Sequence, residues 1–563
     1  MKAIFQAIKL DLVVFLSVGL SRWPALESYW CLDDWGQLAR SAGMLAREPG
    51  LPARWLSQDL WWTLTWPLFG LNAVAHTVLR LLLHGLSAVI IARIARQSTG
   101  RPNTGLIAGC LFAASPVAFT PLYWASGIQE LLAGVLALAA VERWWFGGTK
   151  RWILATGLGI ASILAKEPGF GLPILFAMTL WWGYRKQDIK PQFGSLLAIG
   201  ALLVAVGYES VALFQRFSTG EADPYNTGGL SIMLGNIGIF GTWLATPGPF
   251  YAANFTWKLA GYGSLLFMVW AVWGFWCWKR GRYLPLTALF GAMLSLGPSL
   301  ILVTQTHPYL AYVAAGGLSL TIAEALPLRL LERKSILTVA LVAISAIGWW
   351  NMHTRASALR DELPADPIIR AIALTRELAP LIDQQGQSFP KGSTKSLVIY
   401  QPPVSPEAMA AANRDGIFAV TVSERQAALG SKLGPQLLLG PGSDVSWRNS
   451  LIGAPKTAIV LCERSDGFDP WGNTWNALIS ASLIDIMLGH SDRAKNQLRL
   501  AVQWDQRAEL YFLNLAQLRV SRQFILQRLE AFQIWHHNNA QKDGDFSDLA
   551  NFIAKLKIVA HSA

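Results

Sequence analysis

The chain has 563 residues, of which 53% are hydrophobic and 15% charged, with a formal net charge of +12. Together with a mean hydropathy of +0.34, this excludes an ordinary soluble globule, which carries more charge and shorter apolar runs. The positive charge does not point to nucleic acid, because Lys and Arg cluster in short loops between apolar runs, the distribution that orients a membrane protein.

Met1 to Leu20 carries Lys2 and Lys9 ahead of an apolar run with no small-residue cleavage site, so it reads as an anchoring first span. A span needs roughly 20 apolar residues. About eleven candidates satisfy that pattern, centred near Val14, Val78, Ala113, Leu136, Gly157, Phe176, Leu203, Met268, Met293, Gly316 and Val342. The basic residues fall in alternate loops: Lys2 and Lys9; Arg93, Arg96 and Arg101; Arg143, Lys150 and Arg151; Arg185, Lys186 and Lys190; Lys279, Arg280 and Arg282; Arg329, Arg333 and Lys334. This predicts an N-terminus inside, an odd number of spans and an extracytoplasmic tail. Trp, at 26 residues, is frequent near segment ends, as in an interfacial aromatic belt.

The first outer loop, residues 22–66, contains the adjacent carboxylates Asp33 and Asp34 directly after the first span. A solvated loop start or a helix cap is the ordinary explanation of such a pair. Its position and its company on the outer side, Lys166, Glu167, Glu221, Asp223 and His307, favour a site instead. Within the same loop Gln37 to Arg47 and Arg54 to Trp66 read as helices lying in the interface plane. The second span holds His76, Arg80 and His84 at i, i+4 and i+8, either lining a cavity or tying helices together, with packing favoured. The outer loop 215–257 combines Glu221 and Asp223 with a Gly-rich apolar run, and reads as a re-entrant or lid-like segment or a plain surface loop.

After residue 350 charge returns. A helix is predicted over Pro367 to Ile382, and β-prone runs over Leu397–Tyr400, Phe418–Val422 and Ala458–Cys462. Residues 351–470 then form a small α/β domain, and 471–563 a helical tail with about one and a half tetratricopeptide-like repeats between Ala481 and Leu518. Four Cys are too few for a disulfide framework, and no metal-ligand spacing is present; a Cys31–Cys462 bridge is left open.

Several stretches together carry a family resemblance. They are Asp33-Asp34, His84 at the end of Leu81-Leu82-Leu83-His84, and Ser115-Pro116 followed by Tyr123-Trp124-Ala125-Ser126-Gly127-Ile128-Gln129-Glu130. Leu164-Ala165-Lys166-Glu167-Pro168 is a further match, and His307-Pro308-Tyr309-Leu310-Ala311-Tyr312 a weaker one. In order and spacing, residues 1–350 resemble the GT-C superfamily of integral-membrane glycosyltransferases, most closely its protein O-mannosyltransferase-related, tetratricopeptide-bearing branch. The chain departs from that pattern at Arg80, where the family has Asn; at Ile128-Gln129, where it has Arg; and before Tyr309, where its Glu-Arg pair is absent.

The resemblance implies an all-α polytopic membrane domain and an inverting transfer of sugar from a polyprenyl-phosphate donor to an acceptor hydroxyl. The acceptor would be a protein, glycan or lipid on the outer face of a bacterial inner membrane. Asp33 matches the family's catalytic base, and Asp34 would orient substrate or bind a metal such as Mg or Mn if one is used. A departing phosphate needs cations, and the candidates are Lys166, then Arg80 and His307, then Arg54. Glu167 could hold Lys166 by pairing with it, and His84, Glu221 and Asp223 are supporting positions. A transporter or flippase of lipid-linked sugar and a non-catalytic membrane scaffold are the alternatives.

Overall fold

A computed structural model describes residues 2–46, 51–146, 151–187, 193–218, 227–245, 257–303, 307–327, 332–360, 363–389, 394–401, 424–440, 442–464, 467–474 and scattered positions to 501. Glu221, Asp223, Phe418–Val422 and most of the tetratricopeptide-like stretch lie outside the described residues. Two compact units emerge, Met1–Ile372 and Ala373–Ala563. The helix Lys334–Ser357 runs through the boundary that composition suggested at residue 350.

The first unit is helical. Its helices in chain order are α1 (Lys2–Arg22), α2 (Asp34–Ser41), α3 (Trp61–Phe69), α4 (Ala73–Thr99), α5 (Pro102–Ala113), α6 (Phe119–Tyr123) and α7 (Ile128–Phe146). They continue with α8 (Arg151–Ala165), α9 (Leu172–Gln187), α10 (Phe193–Ser218), α11 (Leu230–Ala245), α12 (Trp257–Lys279), α13 (Leu284–Leu300), α14 (Tyr312–Ala325) and α15 (Lys334–Ser357). Each of the eleven centres read from the sequence falls on one of these helices. Among the described residues five helices are long and apolar enough to cross a membrane, or six if Pro102–Ala113 and Pro116–Tyr123, bent by 45°, form one span. These helices make the first unit a membrane domain. The apolar helices Trp152–Ala165, Leu230–Leu244 and Leu284–Leu300 are shorter.

Burial sorts the helices. The span Ala125–Phe146 is 83% buried and lies at the centre, whereas Lys334–Ser357 is 17% buried and turns Val339 and Val342 outward. An exposed apolar surface of that kind suits lipid. The 5-residue helix α6 and a 3-10 turn, Ala125–Gly127, lead directly into the central α7.

Two of the long loops carry helices whose packing the sequence did not specify. In the loop 215–257 the Gly-rich run is α11, a 16-residue helix packed on α12. A Cβ at Gly238 would strike the Ala260 carbonyl, and one at Gly241 the Gly263 carbonyl. The glycines that looked like irregular loop are therefore the small residues that let two backbones approach closely. In the first loop, α2 is followed by a π-helical turn, Leu56–Leu60, that runs into α3. Trp35, Leu38 and Trp62 are buried there, so these helices pack on protein.

In the second unit a four-stranded sheet has the order β4-β3-β5-β6. The two-residue strands β1 (Leu359–Arg360) and β2 (Leu363–Pro364) precede it in the chain. The sheet strands are β3 (Ser396–Tyr400), β4 (Asp444–Arg448), β5 (Ile459–Arg464) and β6 (Gly467–Asn473). β3 pairs in parallel with both β4 and β5, and β6 closes the edge antiparallel to β5. Leu378 and Ile382, on the helix Pro367–Ser388, bury against Leu397, Ile399 and Leu461. All four cysteines are buried, and none of them is in a disulfide.

Candidate active site

The acidic pair is presented by a tight, strained turn. Leu32 has φ 53°, in the left-handed region that side chains other than glycine rarely adopt. That conformation lets the Cys31 N–H donate to Asp34 Oδ2 at 3.0 Å while the Asp34 N–H donates to the Cys31 carbonyl at 3.1 Å. The two carboxylates part company as a result. Asp33 is exposed at the N-cap position of α2 and makes no side-chain capping bond there. Asp34 is fully buried, and its Oδ1 accepts both the N–H and the hydroxyl of Ser126, each at 2.6 Å. Burial pushes the Asp34 carboxyl up to about 6, against the pull of the Ser126 and Cys31 bonds and the Arg80 charge.

Ser126 begins a short rail that also holds the cations. Gln129 Oε1 lies 3.5 Å from Arg54 Nη1 and accepts from Gln58 Nε2 at 3.4 Å. Glu130, fully buried, pairs with Lys166 Nζ at 2.7 Å. Four residues of helix advance about 6 Å, so dyad clamp and cation partners share roughly one helical turn. Arg54 has φ 53°; its N–H donates to Glu209 Oε1 at 2.6 Å and its Nε to Glu167 Oε1 at 2.7 Å.

The pairing of neighbours expected from sequence, Lys166 with Glu167, is replaced by two crossed pairs, Lys166–Glu130 and Glu167–Arg54. Lys166 is extended (φ −171°, ψ 162°) just before the 3-10 turn Glu167–Gly171. Successive side chains at an extended residue point to opposite sides. Burial raises the Glu167 carboxyl, but the Arg54 and Lys166 charges outweigh it and hold the group below the usual range.

His307 stacks on Tyr309 with ring centroids 5.2 Å apart and planes 10° apart, and Trp124 meets Tyr309 edge-on at 5.9 Å. Lys166 Nζ lies 5.5 Å from the same tyrosine ring. Burial, and then the Lys166 charge, lower the His307 imidazolium below its ordinary value. The stack places His307 beside Lys166, on the tyrosine that both cover.

The intramembrane trio divides by role. His76 packs among Trp30, Trp62 and Phe69. His84 Nδ1 lies 2.9 Å from the Tyr312 hydroxyl and Nε2 3.2 Å from the Ala113 carbonyl, so both histidines tie helices together. Arg80 instead donates from Nη2 to the hydroxyls of Ser28, at 2.9 Å, and Thr77, at 2.5 Å. Its Nε and Nη1 have no acceptor among the described residues, and its charge acts on Asp34.

Sequence reasoning quoted Ser126, Gln129 and Glu130 without giving them a role, and missed Glu209. Carboxylates within apolar stretches were the available signal for Glu130 and Glu209. Among the described residues no three His, Cys, Asp or Glu side chains gather as a metal site. Both Asp34 oxygens, moreover, face N–H or O–H donors.

No protein-family model and no curated protein matches the chain. Among the solved structures similar to it is the crystal structure of ArnT from Cupriavidus metallidurans bound to undecaprenyl phosphate. The match has 16% identity and a TM-score of 0.33, covering 78% of this chain and 76% of that one. A likeness this distant transfers no residue role.

Proposed function

We propose that the chain is a membrane glycosyltransferase. It moves a sugar from a polyprenyl-phosphate donor to an acceptor hydroxyl of a protein, glycan or lipid on the outer face of a bacterial inner membrane. The observation supporting this is the rail Ser126–Glu130, which joins the buried Asp34, neighbour of the exposed Asp33, to buried cations within one helical turn. Asp33 takes the acceptor proton as general base. The acceptor oxygen then bonds to the anomeric carbon as the carbon–oxygen bond to the phosphate breaks, and the centre inverts. Lys166, Arg54 and Arg80 stabilise the departing phosphate, Arg80 with two nitrogens that no described protein acceptor uses. His307, stacked on Tyr309 next to Lys166, is a further contact for the phosphate. Asp34 is the anchor that aims the loop.

Purified protein in lipid nanodiscs, supplied with a panel of polyprenyl-phosphate sugars, tests this directly. Mass spectrometry of glycans and glycoproteins from cells carrying wild-type or Asp33→Asn protein identifies the acceptor. Loss of transfer in folded Asp33→Asn protein is the expected result; wild-type transfer by that variant removes Asp33 as the base, and no transfer by wild-type protein with any donor overturns the reading.

A further inference from the structure

Beyond the last membrane helix the chain folds back on the dyad's support. Arg355, in the last turn of α15, is 5% exposed, and its Nε donates to Asp366 Oδ2 at 2.7 Å. Between them the chain closes on itself through β1 and β2 and an Ala365 N–H bond to the Ala358 carbonyl at 2.8 Å. Asp366 Oδ1 in turn accepts the Ile368 N–H at 3.0 Å, capping the helix Pro367–Ser388. The clasp is pinned to α6. Arg355 Nη2 donates to the Thr120 hydroxyl at 3.2 Å, and the guanidinium lies 4.1 Å from the centre of the Phe119 ring.

α6 is the element that leads to the dyad. Its last residue, Tyr123, accepts the Ser28 hydroxyl through its carbonyl, and three residues later Ser126 makes its double contact with Asp34. Asp366 is close enough to the dyad's loop for its charge to be felt at Cys31, together with those of Asp33, Asp34 and Arg80.

We propose that Asp366 and Arg355 are positioning residues for the Asp33–Asp34 dyad, acting through Thr120 and α6 on the reach of Ser126. This rests on the glycosyltransferase reading for its effect on rate, but not for its effect on structure. A buried pair that served only to fasten the tail would not need to grip the short helix next to Ser126. Neither residue touches the reacting atoms. Their influence is on where Asp33 points, and a misplacement of about 1 Å at a catalytic group costs on the order of 100-fold in rate.

The test uses full-length protein in nanodiscs with four changes: Asp366→Asn, Arg355→Lys, Thr120→Val, and the double change Arg355→Met/Asp366→Leu. The double change removes both charges together and so avoids stranding one of them in the interior. Hydrogen–deuterium exchange at the Cys31 and Ser126 amides, both donors to Asp34, is the first readout and needs no activity. Exchange at both rises at least tenfold in Asp366→Asn and in the double variant, while the α8 amides are unchanged. Sugar transfer is the second readout: kcat falls roughly 10- to 100-fold with the donor KM held within about threefold. Arg355→Lys, which keeps the ion pair but loses the planar fork, recovers part of the rate. Unchanged exchange at both amides overturns the proposal. So does a loss of rate that merely follows the folded fraction. Failure of the glycosyltransferase reading shows itself separately, as no transfer by wild-type protein with any donor of the panel, and leaves the exchange result standing.

Discussion

Asp34 Oδ1 receives two hydrogen bonds from one residue, the N–H and the hydroxyl of Ser126, each at 2.6 Å. Both partners are buried, so the contact fixes the loop after α1 to the start of α7 without help from water. Hydrogen bonds to charged groups contribute about 1.5–3 kcal/mol each. Ser126→Ala keeps the N–H bond and loses the other. Its thermal unfolding should fall by an amount in that range, with kcat lowered roughly tenfold because Asp33 is aimed less well. A wild-type kcat in this variant would remove Ser126 from the support of the dyad.

The buried Asp34 carboxyl, raised to about 6, gives opposite pH signatures in activity and stability. Above about 6 it is ionised and accepts all three donors; as pH falls through 6 it takes up a proton and the clamp on the loop weakens, so transfer declines on the acid side. For stability the folded value of about 6 lies above the ordinary 3.8. Between those values only the folded state holds the proton, so this group's contribution to stability falls as pH rises through the window and is fully lost above 6. Rate–pH and unfolding–pH curves of wild type and Asp34→Asn check both signs, and the variant should lack both trends.

Lys166 and Glu130 form a buried ion pair, with Glu130 fully enclosed. Removing either partner alone strands the other and should destabilise by about 3–5 kcal/mol, whereas an apolar double replacement, Lys166→Met with Glu130→Leu, should restore most of that loss. Sugar transfer should not return with it, and any residual activity should show a donor KM raised more than the acceptor KM. Equal changes in the two KM values would make Lys166 a purely structural cation.

The α11–α12 contact offers a test of packing alone. Gly238→Ala drives a methyl group into the Ala260 carbonyl and should cost about 1–3 kcal/mol. Gly207→Ala, on α10, meets nothing within 4 Å and should be neutral or stabilising by up to about 1 kcal/mol. Thermal unfolding of the two variants side by side gives the comparison.

Much of the helical layout was legible because long apolar windows have few alternatives to a helix. The acidic dyad and Lys166 were singled out by their position and by the resemblance, with Arg54 last among the candidate cations. What the sequence did not show is pairing. Lys166 takes a partner 36 positions earlier rather than the adjacent Glu167, because an extended backbone sends neighbours apart. α11 was missed because glycine lowers helix propensity, and only the facing surface of α12 turns that weakness into close contact. The link from Arg355 to Thr120 spans 235 positions and leaves no periodic trace.

Arg22 ends α1 fully buried, and its guanidinium donates to backbone carbonyls: Ala113 at 2.7 Å, Ser115 at 2.8 Å and Gly348 at 3.3 Å. The first two lie where α5 breaks before Pro116, the third in α15, 326 positions later. During synthesis this cation therefore waits through nearly the whole membrane domain for its final acceptor. Until Gly348 is in place, the cation at the end of the first helix lacks one of these three carbonyls.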